Sequence, residues 1–287
     1  MVNYDFKSDI LYIRQCLGLS QMSFAEKVGL SRSNIARYEA GTIVPRPESL
    51  EKIYNYAFSF GFDINQCKAM LYEDNRRNSL LLFHGAREEI IGNVDTKHSR
   101  QPSDFGTGFY LGQSLLQANM WVAANKKSST YCFYFKPDNL KGVSFSTDYR
   151  WMLAILYYRG ELEGYEITDE LENIIKEIES ADYLIAPIAD NQMYDTLDYF
   201  KRGLISDVAC LHALNANNLG LQYVLKTEKA CKALTPVDRF YLCELEREHY
   251  LSLKTKTSND GKNKSLLAIN KYRKEGKMFN EIFTRKG

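Results

Sequence analysis

The sequence has no apolar run approaching about 18 residues, so it carries no membrane-spanning helix. Its first residues, M-V-N-Y-D-F-K-S-D, lack the apolar core of a signal peptide. Cysteine is sparse: Cys16, Cys67, Cys132, Cys210, Cys231 and Cys243 form no C-x-x-C pair, and the four histidines are equally scattered. That argues against a metal site and for reduced, mostly buried thiols in a cytoplasmic protein. There are no internal repeats. Charge of one sign is also missing, since 37 Lys and Arg face 36 Asp and Glu. The balance is segmental, however. Residues 1–76 carry nine cations and nine anions, residues 77–244 carry 17 and 22, and residues 245–287 carry 11 and five. Only the tail is strongly biased. At 287 residues, 45% apolar and 25% charged, the chain has the composition of a globular protein with one large domain or two ordinary ones.

The first 75 residues read as five helices. Ile10, Leu11, Ile13 and Leu17 have helical spacing. Ser20 and Gln21 start a second helix that Gly29 ends. Ser31 caps a third, Arg32–Ala40, with Ile35 and Tyr38 facing inward. Glu48–Phe60 is the fourth, and Asp63 caps a fifth to about Tyr72. Two short helices joined by a glycine-bearing turn are the helix-turn-helix signature. The order S-Q-x-x-F-A-E-K-V-G-L-S-R-S-N-I-A-R-Y-E-A-G resembles the phage-repressor and xenobiotic-response-element family of DNA-binding domains. The resemblance implies that Gln21, Arg32, Ser33, Asn34 and Arg37 face DNA and that the domain works as a homodimer on palindromes. A five-helix module that does not touch DNA is the alternative, and the neutral charge of residues 1–76 favours it, because phosphate neutralisation dominates affinity.

Glu73–Ser79, E-D-N-R-R-N-S, is a polar break. It sets a boundary with residues 1–75 before it, residues 76–79 as linker, and residues 80–287 after it. Short strands are expected at Leu80–His84, Phe109–Leu111, Ser129–Phe135, Val143–Phe145, Tyr183–Ala186 and Leu221–Lys226. Helices are expected at Ser114–Lys126, Asp148–Tyr158, Thr168–Ser180, Asn191–Lys201, Ser206–Asn215 and Pro236 to about Leu253. Thr255–Lys264 reads as an exposed loop and Ser265–Ile282 as a basic helix. The fold class is therefore an all-α helix-turn-helix domain followed by an α+β domain.

Three strand-borne segments carry the chemistry: Phe83-His84-Gly85, then Gly106-Thr107-Gly108-Phe109-Tyr110-Leu111, then Gly220-Leu221-Gln222-Tyr223. In this order they resemble the ADP-ribosyltransferase superfamily in its histidine–tyrosine–acid branch, and within it a bacterial subgroup catalogued as a domain of unknown function. Ala186–Tyr199 and Tyr272–Phe283 resemble that subgroup too, which would make the tail part of the catalytic unit. The resemblance implies a split β-sandwich, NAD as substrate, and no metal. It implies that Gly85 pairs with the nicotinamide carboxamide, His84 with a ribose hydroxyl, and that Tyr110 stacks on the nicotinamide. Gly106, Gly108, Phe109 and Asp190 would line the same cleft, with Asp190 equally readable as a helix cap. Gln222 would meet the ribose 2′-hydroxyl. It stands where the family's glutamate form has a carboxylate, and an amide can neither take a proton nor offset positive charge, a loss on the order of 10²–10³ in rate.

Outside that set, Trp121 reads as core, Asp104 as a turn residue, and Glu228 and Glu246 as spare carboxylates. The expected function is NAD-dependent mono-ADP-ribosyl transfer to an acceptor that is protein, nucleic acid or small molecule, in a toxin–antitoxin or phage-defence setting with an antitoxin protein as partner. The alternative is an NAD-sensing transcription regulator in which Gln222 marks lost catalysis.

Overall fold

A computed structural model describes residues 1–97, 103–189, 191–217 and 219–286, with residues 191 and 192 described by backbone alone. It divides into two compact units. The first holds residues 1–92, 114–135 and 235–253, and the second holds residues 93–113, 136–234 and 254–287.

The first unit opens with five helices: α1 (Phe6–Cys16), α2 (Gln21–Val28), α3 (Arg32–Ala40), α4 (Pro47–Ser59) and α5 (Ile64–Asn75). Their starts are chemical. Asp5, Ser20, Ser31 and Asp63 each accept a backbone N–H from the first turn of the helix they cap, and α4 has Pro47 in its first turn instead. Gly29 ends α2 in the left-handed region, at φ 62°, where a side chain would be strained. Ile10, Ile13, Phe24, Ile35, Ile53 and Tyr54 close the helical core. The unit also holds β1 (Leu80–Ala86), α6 (Leu115–Val122), β3 (Ser129–Phe135) and β7 (Leu234–Tyr241). β1 pairs antiparallel with β3, with His84 opposite Tyr131. β7 lies on the other side of β3.

These strands are tied to the helices by buried polar contacts within the unit. Lys68 Nζ on α5 sits 2.8 Å from Asp9 Oδ1 and 2.7 Å from Asp238 Oδ2 on β7. Tyr54 donates to Asp9 and Tyr72 to Asp238. Asn65 donates to the Tyr241 carbonyl and to Glu246. The compact unit thus extends past the expected boundary at residues 76–79. Burying a charge is tolerable only when it is paired, and each charge here has its partner.

The second unit has strand order β4-β5-β6-β2, from β2 (Phe109–Gly112), β4 (Gly142–Ser144), β5 (Tyr183–Pro187) and β6 (Leu221–Leu225). β4 and β5 are parallel, and β6 is antiparallel to both β5 and β2. Helices α7 (Tyr149–Tyr158), α8 (Asp169–Glu179), α9 (Asn191–Lys201), α10 (Asp207–Asn215) and α11 (Glu228–Lys232) complete it with the end of the chain. Trp151, Ile155, Ile174, Leu184, Phe200 and Val224 form its core. Phe279 and Phe283 are buried in that same core, which docks the short α13 (Phe279–Ile282) in this unit.

Three sequence expectations are corrected. Residues 234–241 form a strand, not the start of a helix. The tail is one continuous helix, α12 (Glu244–Tyr272), through the segment read as a loop. Gly261 and Ser265 are buried on it, and Asn217 donates to the Gly261 carbonyl and the Ser265 hydroxyl. Trp121 is 45% exposed, not core, because α6 turns its Ala118 and Val122 side inward.

Candidate active site and nucleic-acid interface

In the second unit, the loop before β2 turns at Gly106, at φ 69°, and brings Gly108 against β6. A Cβ at Gly108 would meet Val224 Cγ1 at 2.7 Å and the Leu225 carbonyl at 3.0 Å. Glycine here therefore allows strand contact. Tyr110 is pinned by its own loop. Its hydroxyl donates to the Gly106 carbonyl (2.7 Å) and accepts from the Phe105 N–H (3.1 Å). Burial pushes that hydroxyl up to about 12. Phe109 is buried beside it on β2. Lys226 closes the loop from below, donating to the carbonyls of Phe105 (2.5 Å) and Thr107 (2.9 Å). Burial pulls its ammonium down to about 8.

The hub of the site is Asp104, 6% exposed. Its Oδ1 accepts from the Tyr194 hydroxyl (2.5 Å) and Arg159 Nη1 (3.1 Å). Its Oδ2 accepts from Gln222 Nε2 (3.0 Å). Gln222 also donates to the Pro187 carbonyl at 3.0 Å. Arg159 stacks 3.5 Å over the Tyr194 ring centroid, a cation–π contact. Burial, then the Asp104 charge, holds the Tyr194 phenol far above its ordinary range. The residue read as a turn is thus a buried carboxylate that gathers a cation, a phenol and an amide. Asp104, Arg159 and Tyr194 were not among the expected site residues. The sequence signal for Tyr194 was its place in A-D-N-Q-M-Y.

The structure brings Gly106, Gly108, Phe109, Tyr110 and Gln222 together in this unit. Asp190 lies outside the described residues. His84 and Gly85 stand on β1 in the first unit. A Cβ on Gly85 would come within 2.6 Å of the Ala118 carbonyl, so its glycine makes room for α6. Among the described residues no cluster of His, Cys, Asp and Glu could hold a metal ion, and no helix is long and apolar enough to cross a membrane.

In the first unit, α3 leaves Arg32, Ser33 and Arg37 exposed and Asn34 half-buried. Ser31 accepts the Asn34 N–H at 3.1 Å and fixes the start of the helix. Gln21 donates to Glu39 (2.8 Å), which also receives Arg14 at 2.5 Å. The amide expected to face DNA is therefore bonded within the helical bundle.

Two family models match. One, described as "Protein of unknown function (DUF3990)", covers residues 80–235. The other, described as "Helix-turn-helix", covers residues 10–56. No curated protein and no solved structure matches the chain. The first model covers more than half of the sequence, and the chain belongs to that family, with a helix-turn-helix DNA-binding domain at its N-terminus.

Proposed function

We propose that the chain is a NAD-dependent mono-ADP-ribosyltransferase whose N-terminal helices bind DNA. The observation that carries this reading is the meeting of Gln222 with a buried carboxylate, beside the loop that pins Tyr110. Transfer breaks the bond between ribose C1′ and the nicotinamide nitrogen. The electron pair leaves with that nitrogen and neutralises its ring charge. Positive charge grows on the ribose, and an oxygen or nitrogen of the acceptor adds at C1′ and releases its proton. A fixed acceptor oxygen nearby stabilises that transition state, and a pinned aromatic ring costs nothing to order. The Asp104–Gln222 pair supplies the first and Tyr110 the second. His84 and Gly85 enter through the resemblance alone.

The setting we propose is a toxin–antitoxin or phage-defence unit in the cytoplasm, working as a homodimer with an antitoxin protein as partner. Its support is the resemblance and the joining of a DNA-binding domain to a transferase-like one. Radiolabelled NAD incubated with the full chain and lysate tests the transfer. Label in protein, nucleic acid or a new small-molecule product is the expected outcome, and none in any of the three would defeat it.

One observation favours a second reading, a DNA-binding regulator that senses a NAD-type ligand without turnover. Both oxygens of Asp104 already have partners inside the protein, as in a purely structural hub. In that case NAD binds and no nicotinamide appears.

A further inference from the structure

The Gln222 amide has two hydrogens and one oxygen to place. Both hydrogens go inward, to Asp104 Oδ2 and to the Pro187 carbonyl, each at 3.0 Å. The flipped amide would set its oxygen against these two acceptors, so the orientation is forced. Among the described residues no donor reaches Oε1. Asp104 in turn cannot rotate away, because Arg159 and Tyr194 hold its other oxygen.

We propose that Asp104 is a positioning residue for Gln222, locking the amide so that its oxygen, backed by a buried negative charge, accepts a hydroxyl of the ligand. The identity of that hydroxyl as one of the NAD riboses rests on the transferase reading above. Asp104 is buried and acts through the amide. A hydrogen bond to a carboxylate polarises an amide and strengthens its oxygen as an acceptor. The pair thus delivers carboxylate character through a neutral group. It also explains glutamine at this position. A glutamate would put a second carboxylate about 3 Å from Asp104, where two like charges do not both ionise.

The test uses the full chain and the variants D104N, Q222E and D104N/Q222E, each checked for a cooperative thermal transition. The side-chain amide signals of Gln222, identified by their loss in Q222E, are followed by hydrogen exchange. Nicotinamide release from NAD is measured alongside. Slow exchange in the wild type, at least about tenfold faster in D104N, is the expected result. D104N lowers kcat about 10²-fold, the order that misplacing a reacting group costs, while KM changes little. The melting temperature of Q222E rises relative to wild type as pH falls from about 8 to about 5, as its extra proton is supplied, and D104N/Q222E loses most of that rise. Exchange and kcat unchanged in D104N, or a Q222E pH dependence that D104N leaves intact, would overturn the lock. Slow exchange that D104N abolishes, in a protein that releases no nicotinamide, leaves the lock standing and defeats the NAD reading instead.

Discussion

Three side chains from separate stretches of the chain meet at one carboxylate. Arg159, Tyr194 and Gln222 lie 55, 90 and 118 positions from Asp104. Tyr110 is fixed a few atoms away by its own loop, and this predicts a stability effect. Tyr110→Phe keeps the ring but leaves the Phe105 N–H without its acceptor, while the Gly106 carbonyl keeps the Ser103 hydroxyl, so urea unfolding should show a loss of about 1–2 kcal/mol. An unchanged midpoint would mean that water replaces the hydroxyl at no cost. At this scale the strands that carry Tyr110 and Gln222 were legible in the sequence, because their short motifs are local. The sequence hid Asp104, because an aspartate before a glycine turn looks the same whether its carboxylate faces solvent or a buried arginine.

Among the elements, capped helices and apolar strands were legible because period and cap are written in adjacent residues. β7 was not, since Pro236 reads as a helix start. It is tolerated at the end of the order β1-β3-β7, where a missing N–H breaks no ladder on the open side. The middle of α12 has no apolar period and is held by bonds from Asn217, which no local pattern announces. The start of α12 carries a pH prediction. Glu246 is buried, and desolvation first, then Asp63, pushes its carboxyl up to about 8 from an ordinary 4.5. Between those values the folded chain holds a proton that the unfolded chain has released. The stability contribution is therefore full at the acid end and is lost as pH rises through that window, by up to about 1.4 kcal/mol per unit. Urea midpoints from pH 5 to 8 should fall more steeply in the wild type than in Glu246→Gln, and parallel curves would contradict this. On α3, Arg32→Ala and Arg37→Ala should each weaken DNA retardation and lower its salt slope by about one. A wild-type chain that retards no DNA from upstream of its own gene, even at low salt, would remove the DNA contact.

For the whole molecule, the compact unit that holds the five N-terminal helices also takes in residues 80–92, 114–135 and 235–253. Lys68 and Asn65 reach Asp238 and Glu246, so cutting at residue 75 would strip partners from buried carboxylates in the same unit. Full-length variants are therefore the sound way to separate DNA binding from chemistry. The central claim is that this chain cleaves NAD with Gln222, not glutamate, beside a buried aspartate. The most direct measurement is the time course of free nicotinamide released from NAD by the purified full chain, compared with Gln222→Ala and His84→Ala. The account predicts release that continues over many turnovers in the wild type and drops on the order of 10²-fold or more in both variants. NAD bound but intact over the same period, in wild type and variants alike, would contradict it.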